Sequence, residues 1–223
     1  MISNVTDDAR ERAEVSIPAA GRMLAGMLAL PEGASGLVLF AHGSGSGRFS
    51  VRNNRVAAEL RCAGLGTLVL DLLTEEESRS RANVFDIPLL AGRLLEATRW
   101  AAAMCPDLPV GYFGASTGAA AALVAAVHAG PALRGIVSRG GRPDLAAEAL
   151  PLVTAPTLLI VGGRDQEVLE LNRQAYRRMT CERRLIVVEG AGHLFEEGNT
   201  LGEVSTLAQH WFVRHLPVPR VAC

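Results

Sequence analysis

Short runs of consecutive apolar residues, rich in β-branched side chains, alternate along this chain with longer segments rich in Ala, Leu and Arg. The apolar runs fall at residues 37–41, 66–72, 110–113, 135–138, 157–161 and 185–188. They lack the alternation of apolar and polar residues that is typical of strands with one solvent-exposed face. Such unbroken runs are expected for parallel strands covered by helices on both sides. The helix-like segments between them fall at residues 51–63, 87–104, 117–129, 145–149, 167–180 and 200–215. This alternation predicts an α/β fold with a doubly wound, mostly parallel sheet.

The segment before the first parallel unit differs from the rest. Residues 13–30 centre on Ala20-Gly21-Arg22, a turn sequence between two extended runs, and predict an antiparallel hairpin at the sheet edge. The chain has 223 residues, and no repeat, linker or break in composition divides it. We therefore expect a single domain over residues 1–223.

The composition of the chain narrows the classes of molecule that it is expected to bind. The 22 basic and 23 acidic residues give a net charge of −1, which offers no electrostatic reason to expect nucleic acid or an anionic membrane as partner. Hydrophobic residues make up 49% of the chain and aromatic residues only 4%, so a large core must be built from Ala, Val and Leu. The longest apolar stretch, residues 119–127, is far shorter than the roughly 18 residues that a membrane span needs.

The cysteines and the first residues of the chain indicate the cellular compartment in which the protein is expected. Cys62, Cys105, Cys181 and Cys223 share no metal-binding or redox spacing, and we expect reduced, mostly buried thiols. Residues 1–12 are polar and partly acidic, unlike a signal or transit peptide. These features predict a cytoplasmic protein that holds no metal. They leave monomer and homodimer both open.

The strongest chemical motif is Gly114-Ala115-Ser116-Thr117-Gly118, which lies between a predicted strand and a predicted Ala-rich helix. In this context G-x-S-x-G forms a sharp turn that lifts the serine hydroxyl clear of the backbone. The positions two before and two after the serine then crowd together, which glycine tolerates. We identify Ser116 as the candidate nucleophile. The alternative is a serine that merely caps the helix.

A serine nucleophile needs a base, and histidine is the side chain best suited near neutral pH. Three of the five histidines, at positions 128, 210 and 215, lie on predicted helices. His193 lies instead in a glycine-flanked loop, Gly190-Ala191-Gly192-His193, just beyond the last predicted strand. Because ligands of parallel α/β sheets bind at the carboxyl ends of strands, His193 is the candidate base.

The acid that orients this histidine should follow another strand. Asp165 follows the run at residues 157–161 in the tight loop Gly162-Gly163-Arg164-Asp165, and Asp144 is its competitor after the preceding strand. We favour Asp165 because the order Ser116, Asp165, His193 is that of α/β-hydrolases. The alternative for Asp165 is a simple helix N-cap.

A glycine-rich loop, His42-Gly43-Ser44-Gly45-Ser46-Gly47-Arg48, follows the strand at residues 37–41. It lacks the third glycine of G-x-G-x-x-G, and no Gly-Lys-Ser/Thr follows, so neither a dinucleotide site nor a P-loop fits. The loop suits an oxyanion hole, in which the backbone N–H groups of Ser44 and Thr117 bind a carbonyl oxygen. We expect His42 to have a structural role, holding this loop through a side-chain hydrogen bond.

These motifs together resemble those of the α/β-hydrolase superfamily, and in particular a small, lidless, dienelactone-hydrolase-like member. The resemblance implies an eight-stranded sheet, a triad of nucleophile, histidine and acid, and hydrolysis of ester-like bonds without a cofactor. Dienelactone hydrolases use cysteine as the nucleophile, whereas this chain has Ser116 at that position.

Little chain separates the strand at residues 135–138 from the following helix-like segment, so no long apolar lid fits there. A small-molecule substrate in an open cleft is expected. Arginines crowd the loops after the strands, and Arg48, Arg139 and Arg142 are candidates for holding an anionic group of that substrate. Solvated surface arginine is the alternative. A non-catalytic binding protein of the same fold and an acyltransferase are the rival functions.

Overall fold

An eight-stranded sheet runs through residues 12–216, the part of the chain that the computed structural model describes. Its strands are β1 (Arg12–Ala19), β2 (Arg22–Ala29), β3 (Leu37–Ala41), β4 (Gly66–Leu70), β5 (Val110–Ala115), β6 (Leu133–Arg139), β7 (Thr157–Gly162) and β8 (Arg183–Val188). Their order is β1-β2-β4-β3-β5-β6-β7-β8. The β1–β2 hairpin is antiparallel and joins β4 in antiparallel pairing, whereas all pairs from β4 to β8 are parallel. The predicted sheet and its N-terminal hairpin are confirmed.

Helices cover both faces of this sheet. They are α1 (Val51–Cys62), α2 (Glu75–Ser78), α3 (Arg81–Val84), α4 (Ile87–Met104), α5 (Thr117–Ala126), α6 (Gln166–Arg178) and α7 (Thr200–His215). The helices α4, α5 and α6 pack on one face, and α1 and α7 pack on the other. The strands β3, β4, β5 and β7 are buried along their whole length, which explains why the sequence shows unbroken apolar runs there.

The core is divided by the sheet into two apolar clusters. Leu39 and Leu68 point towards α4 and α5, where they pack in one cluster with Leu94 and Leu123. Their neighbours in sequence point to the other side and pack with α1 and α7. The helix α5 is buried almost all round, and its run of alanines lets it pack closely against both the sheet and α4.

The α-helix predicted over residues 145–149 is wrong. Two separate 3₁₀ turns, Pro143–Ala146 and Leu150–Leu152, stand there instead. Pro151 has no N–H to donate to the carbonyl four residues earlier, so an α-helix that begins in this segment cannot continue through it. As predicted, no lid domain follows β6 in the described residues.

The short helices α2 and α3 were not predicted from the sequence. The Glu77 N–H donates to the Thr74 hydroxyl at 3.2 Å, and the Thr74 N–H donates to the Glu77 carboxylate at 2.9 Å. This capping box is visible in the sequence as Thr-x-x-Glu. Glu77 also pairs at 3.0 Å with Arg93, a buried residue of α4. The hydrogen bond from Thr74 is the main reason that the pKa of Glu77 lies below its usual value.

The expectation of mostly buried thiols is wrong for the described cysteines. All three are free, Cys62 is exposed, and Cys105 and Cys181 are only partly buried. Cys223 lies outside the described residues, as do residues 1–11, which carry most of the argument against a targeting peptide. Between residues 12 and 216, no helix has the length and apolarity needed to cross a membrane.

Candidate active site

Ser116 stands at the turn between β5 and α5 with backbone angles that non-glycine residues seldom adopt, φ 51° and ψ −120°. The turn is possible because of the two motif glycines. A Cβ at Gly114 would lie 2.5 Å from Ala119 Cα, and a Cβ at Gly118 would lie 2.1 Å from the Ala41 carbonyl oxygen. Although Ser116 is the N-cap residue of α5, its side chain makes no capping hydrogen bond. The strained turn therefore presents the hydroxyl rather than using it to cap the helix.

Asp165 and His193 are joined by a hydrogen bond of 2.6 Å between the carboxylate Oδ2 and the imidazole Nδ1. Asp165 is the N-cap residue of α6, but its carboxylate makes no capping hydrogen bond. The aspartate side chain is 15% exposed and the histidine side chain is 40% exposed, so the pair lies at the protein surface. A carboxylate can only accept, so Nδ1 carries the proton and Nε2 is left as the basic nitrogen.

Backbone contacts hold these two loops together. The Arg164 N–H donates to the Ala191 carbonyl at 2.9 Å, and the Gly163 N–H donates to the Val188 carbonyl at 2.9 Å. A Cβ at Gly162 would lie 2.4 Å from the Ala191 carbonyl oxygen. Glycine at the end of β7 thus permits the close approach on which the Asp165–His193 bond depends.

Asp144, the competing acid, has a different partner. Its carboxylate accepts two hydrogen bonds from the Arg142 guanidinium, at 2.8 and 2.7 Å. The hydrogen bond to Asp144 is also the main reason that the pKa of Arg142 is raised. The structure therefore brings Asp165, and not Asp144, to His193.

The turn at residues 139–142 contacts both Ser116 and the histidine loop. The Ser116 N–H donates to the Arg139 carbonyl at 3.3 Å, and the Ser116 carbonyl accepts from the Arg142 N–H at 3.1 Å, so residues 139–142 wrap around the serine. A Cβ at Gly140 would lie 3.2 Å from the His193 carbonyl oxygen and 3.6 Å from His193 Cε1. Within residues 12–216, no hydrogen bond joins the Ser116 hydroxyl to the His193 ring. Such contacts are often long in enzymes without substrate.

The loop after β3 packs directly against the serine. A Cβ at Gly43 would lie 3.0 Å from Ser116 Cβ. The Ser46 N–H donates to the Gly43 carbonyl at 3.2 Å, and Gly45 has φ 69°, as a tight turn of type II requires. The Ser44 N–H donates to the Thr117 hydroxyl at 3.1 Å, so this predicted oxyanion donor is engaged in the structure. Thr117 opens α5, where backbone N–H groups lack an intrahelical acceptor.

His42 holds this loop in place, as expected. Its Nε2 accepts the Leu72 N–H at 3.1 Å, which leaves Nδ1 to donate to the Gly43 carbonyl at 2.9 Å. Both ring nitrogens are thus used by the backbone in the neutral form. Burial lowers the pKa of His42 below 6.5. The imidazole links the loop after β3 to the chain that leaves β4.

The three candidate arginines have different surroundings. Arg48 binds the Asp71 carboxylate and also lies 3.3 Å from Glu14, and Arg142 is paired with Asp144. Arg139 is 8% exposed, and its Nε and Nη1 are buried without a hydrogen-bond partner. Burial lowers the pKa of Arg139 to about 10, and the nearby positive charge of Arg52 contributes to this shift as a second cause.

A cavity of about 310 Å³ opens beside the glycine-rich loop at residues 42–48. Its walls include the backbone of residues 43–46, Thr117 and three apolar side chains, those of Leu73, Val84 and Leu90. Val84 is the last residue of α3, so the segment of short helices that was not predicted from the sequence forms one wall of this cavity.

Sequence reasoning also missed residues that position the histidine loop. Glu197 accepts the Gly192 N–H at 3.0 Å through its carboxylate, and this bond is the main reason that the pKa of Glu197 is lowered. Gly140 was passed over as well, although its φ of 51° and its contact with His193 require glycine. The Gly-Gly pair at residues 140–141, directly after a strand, was the available signal.

A strained serine turn after the central strand β5, followed in sequence by an aspartate and a histidine on later loops, defines a protein of the α/β-hydrolase fold. Comparison with solved structures agrees. A dienelactone hydrolase from Anabaena variabilis superimposes with a TM-score of 0.89 at 51% identity, over 92% of this chain and 99% of that one. The chain belongs to the dienelactone-hydrolase-like family of this superfamily.

More distant and partial relatives add context. An esterase domain of a Rhodothermus marinus protein has a TM-score of 0.76 at 17% identity, over 92% of this chain and 99% of that one, and shows the shared fold alone. A protein found in two strains of Mycobacterium tuberculosis, provisionally named a phosphoribosyl transferase, is 58% identical over 209 residues, which are 92% of this chain and 47% of that protein. The chain thus spans about half the length of these curated relatives. No protein-family model matches it.

We predict that Gly140→Ala lowers kcat by about tenfold to a hundredfold. A side chain at φ 51° is strained by about 1–2 kcal/mol and would press on His193, whose displacement weakens proton transfer. Steady-state kinetics with a short-chain aryl ester measure the effect. The matched control is Gly92→Ala in α4, where a Cβ meets nothing within 4 Å. Equal kcat values for the two variants would contradict the prediction.

We also predict that the free energy of unfolding falls as the pH drops below 6.5. Burial holds the folded pKa of His42 below that of the unfolded chain, so the unfolded state takes up protons first and is favoured by acid. Urea unfolding at pH 7.5 and 5.5 measures this difference. The difference in unfolding free energy between the two pH values should be smaller in His42→Gln. It should not vanish, because burial also lowers the pKa of His215. An unchanged difference in that variant would be evidence against this role of His42.

Proposed function

We propose that this chain is a serine hydrolase that cleaves a small ester-like substrate, an ester, lactone or thioester, through an acyl-enzyme. The observation that carries the proposal is the 2.6 Å hydrogen bond between Asp165 and His193, on loops packed beside the turn of Ser116. The side chains of Ser116 and Asp165 make no capping hydrogen bond, so helix capping does not explain why these residues stand at the starts of α5 and α6.

In the first half of the reaction, Ser116 Oγ attacks the carbonyl carbon while His193 Nε2 removes its proton. Asp165 keeps the imidazole in the required tautomer and stabilises its positive charge. The tetrahedral intermediate then collapses, and His193 passes the proton to the departing oxygen or sulfur. In the second half, His193 activates a water molecule that hydrolyses the acyl-enzyme, which releases the acid and restores the serine.

The negative oxygen of the intermediate is bound by the backbone N–H groups of Ser44 and Thr117. The Ser44 N–H donates to the Thr117 hydroxyl, so the two residues already face each other beside the serine. An oxyanion that arrives there competes with that hydroxyl for the Ser44 N–H. The positive end of the α5 dipole adds to the stabilisation of the charge. The cavity lined by Leu73, Val84 and Leu90 receives the acyl group.

The name of the curated relatives is not carried over. Their phosphoribosyl transferase name belongs to proteins about twice as long as this chain, and the 209 aligned residues make up only 47% of their length. Acyl transfer to an acceptor other than water, and non-catalytic binding, are outcomes that the following experiments distinguish.

We predict that Ser116→Ala lowers kcat for short-chain aryl esters by at least about a thousandfold, because the covalent route is lost. A fluorophosphonate probe should label the unaltered chain rapidly and leave the variant unlabelled. The circular dichroism spectra of the two proteins should coincide. Slow labelling of the unaltered chain would support a non-catalytic binding protein instead. Acylated acceptors among the products would identify a transferase.

We predict that Asp165→Asn lowers kcat by about a hundredfold to ten-thousandfold, since an amide no longer stabilises the imidazolium and favours the wrong tautomer. Asp144→Asn is the matched control, because its carboxylate binds Arg142 and not His193. The two kcat values decide between the two acids. A larger loss in Asp144→Asn would show that the wrong aspartate has been assigned.

A further inference from the structure

The side-chain hydroxyl of Thr117 lies beside the backbone groups that are proposed to bind the oxyanion. Its oxygen accepts the Ser44 N–H at 3.1 Å, and among residues 12–216 no group accepts the proton of this hydroxyl. Thr117 is buried, with 3% of its surface exposed. A buried donor without an acceptor has a free-energy cost, and such groups in native structures call for an explanation.

Two other threonines in helices donate their hydroxyl proton within the helix. The Thr98 hydroxyl donates to the Leu94 carbonyl at 2.8 Å, and the Thr206 hydroxyl donates to the Gly202 carbonyl at 3.1 Å. Thr117 is the first residue of α5, so the residue four positions earlier belongs to β5 and presents no helical carbonyl. The position of Thr117 at the start of the helix therefore leaves its hydroxyl proton available.

The cavity beside this hydroxyl has few groups that could accept the proton. Thr117 and Ser44 both line it, and the His42 ring on its wall already uses both nitrogens on backbone groups. Three further side chains of the wall are apolar and carry no acceptor: Leu73, Val84 and Leu90. A molecule bound in the cavity can supply the acceptor that the protein does not.

An oxygen atom bound by both proposed backbone donors must lie next to this hydroxyl. The Ser44 nitrogen is 3.1 Å from the hydroxyl oxygen, and the second backbone donor belongs to Thr117 itself. A substrate oxygen within hydrogen-bond distance of both nitrogens is therefore a close neighbour of the hydroxyl oxygen. Two oxygens at such a distance attract each other only when a proton lies between them, and a hydroxyl can rotate to provide it.

We propose that the Thr117 hydroxyl is a third hydrogen-bond donor to the oxyanion of the tetrahedral intermediate, which makes Thr117 a catalytic residue. Before substrate binds, the hydroxyl oxygen is the acceptor of the Ser44 N–H. When the carbonyl oxygen becomes negative, that N–H turns to the oxyanion and the hydroxyl donates its own proton to the same atom. No covalent bond of Thr117 forms or breaks. The inference rests on the proposed function, because the oxyanion forms only if Ser116 attacks a carbonyl carbon.

The kinetic experiment removes the hydroxyl and keeps the shape of the side chain. In Thr117→Val we expect kcat for phenyl acetate to fall by about tenfold to a hundredfold, since a donor to the developing negative charge is lost. KM should change little, because the neutral carbonyl of the bound ester gains much less from this donor. Thr117→Ser keeps the hydroxyl and should retain most of the activity. The circular dichroism spectra and unfolding temperatures of both variants should match those of the unaltered chain.

A binding experiment separates the charged oxygen from the neutral one. An activated serine adds to 2,2,2-trifluoroacetophenone and gives a hemiketal, whose oxygen carries the negative charge of the intermediate. Its inhibition constant should rise in Thr117→Val by about the factor by which kcat falls. Acetanilide presents an uncharged carbonyl in place of the ester, and its inhibition constant should stay the same. A residue that only shapes the cavity would change the binding of both inhibitors.

The matched control is Thr206→Val, which makes the same exchange at an exposed position of α7. It should leave kcat and both inhibition constants unchanged. An unchanged or higher kcat in Thr117→Val would overturn the proposal, and a higher value would show that the hydroxyl obstructs the Ser44 N–H. A loss that is also present in Thr117→Ser, or that weakens both inhibitors equally, would assign Thr117 a structural role instead.

The same measurements distinguish this inference from the proposed function. If the unaltered chain hydrolyses phenyl acetate and Thr117→Val does so equally well, the serine hydrolase stands and only the role of the hydroxyl is lost. If the unaltered chain neither hydrolyses phenyl acetate nor binds the ketone, the proposed function fails and the inference fails with it.

Discussion

The close approach of backbone to backbone at the carboxyl edge of the sheet is the constraint on which the site depends. Gly118 lies against the end of β3, and Gly162 and Gly140 both lie against the histidine loop. At each position a side chain would collide with main-chain atoms or push His193 away. Main-chain atoms cannot move aside as a flexible side chain can, so these contacts restrict how the loops can shift. Packing of this kind would hold the proposed catalytic groups in place.

The sequence was sufficient to predict the sheet and to place Ser116, Asp165 and His193 beyond strand ends, but not to show which side chains are hydrogen-bonded to one another. Unbroken apolar runs predict β3, β5 and β7 because parallel strands bury both faces. The position of Ser116, Asp165 and His193 beyond strand ends follows from the same topology. Whether Asp165 caps its helix or binds His193 depends on a side-chain torsion, which no local pattern encodes. The helix α2 was missed although Thr74 and Glu77 form a recognisable capping box, because the segment has no apolar periodicity.

The glycine-rich loop at residues 42–48 illustrates a second limit of sequence reasoning. Its composition indicates that N–H groups are available, but not which of them already has an acceptor. The hydroxyl of Thr117, whose own N–H is a proposed oxyanion donor, accepts the Ser44 N–H. His42 fixes the loop from the other side through two backbone bonds that require a neutral ring. The loop is therefore held in shape before any substrate arrives, and the free energy of ordering it is part of the folding of the chain rather than of binding.

The arginines show how one side chain can have opposite roles within one edge of a sheet. Arg142 has its carboxylate two residues away in sequence, so its charge is neutralised locally. Arg139 ends a buried strand, where its neighbours are Phe195 and another arginine. A chain selected only for stability would gain by an apolar side chain at that position, because the cost of burying an unpaired guanidinium has no compensation in the folded protein.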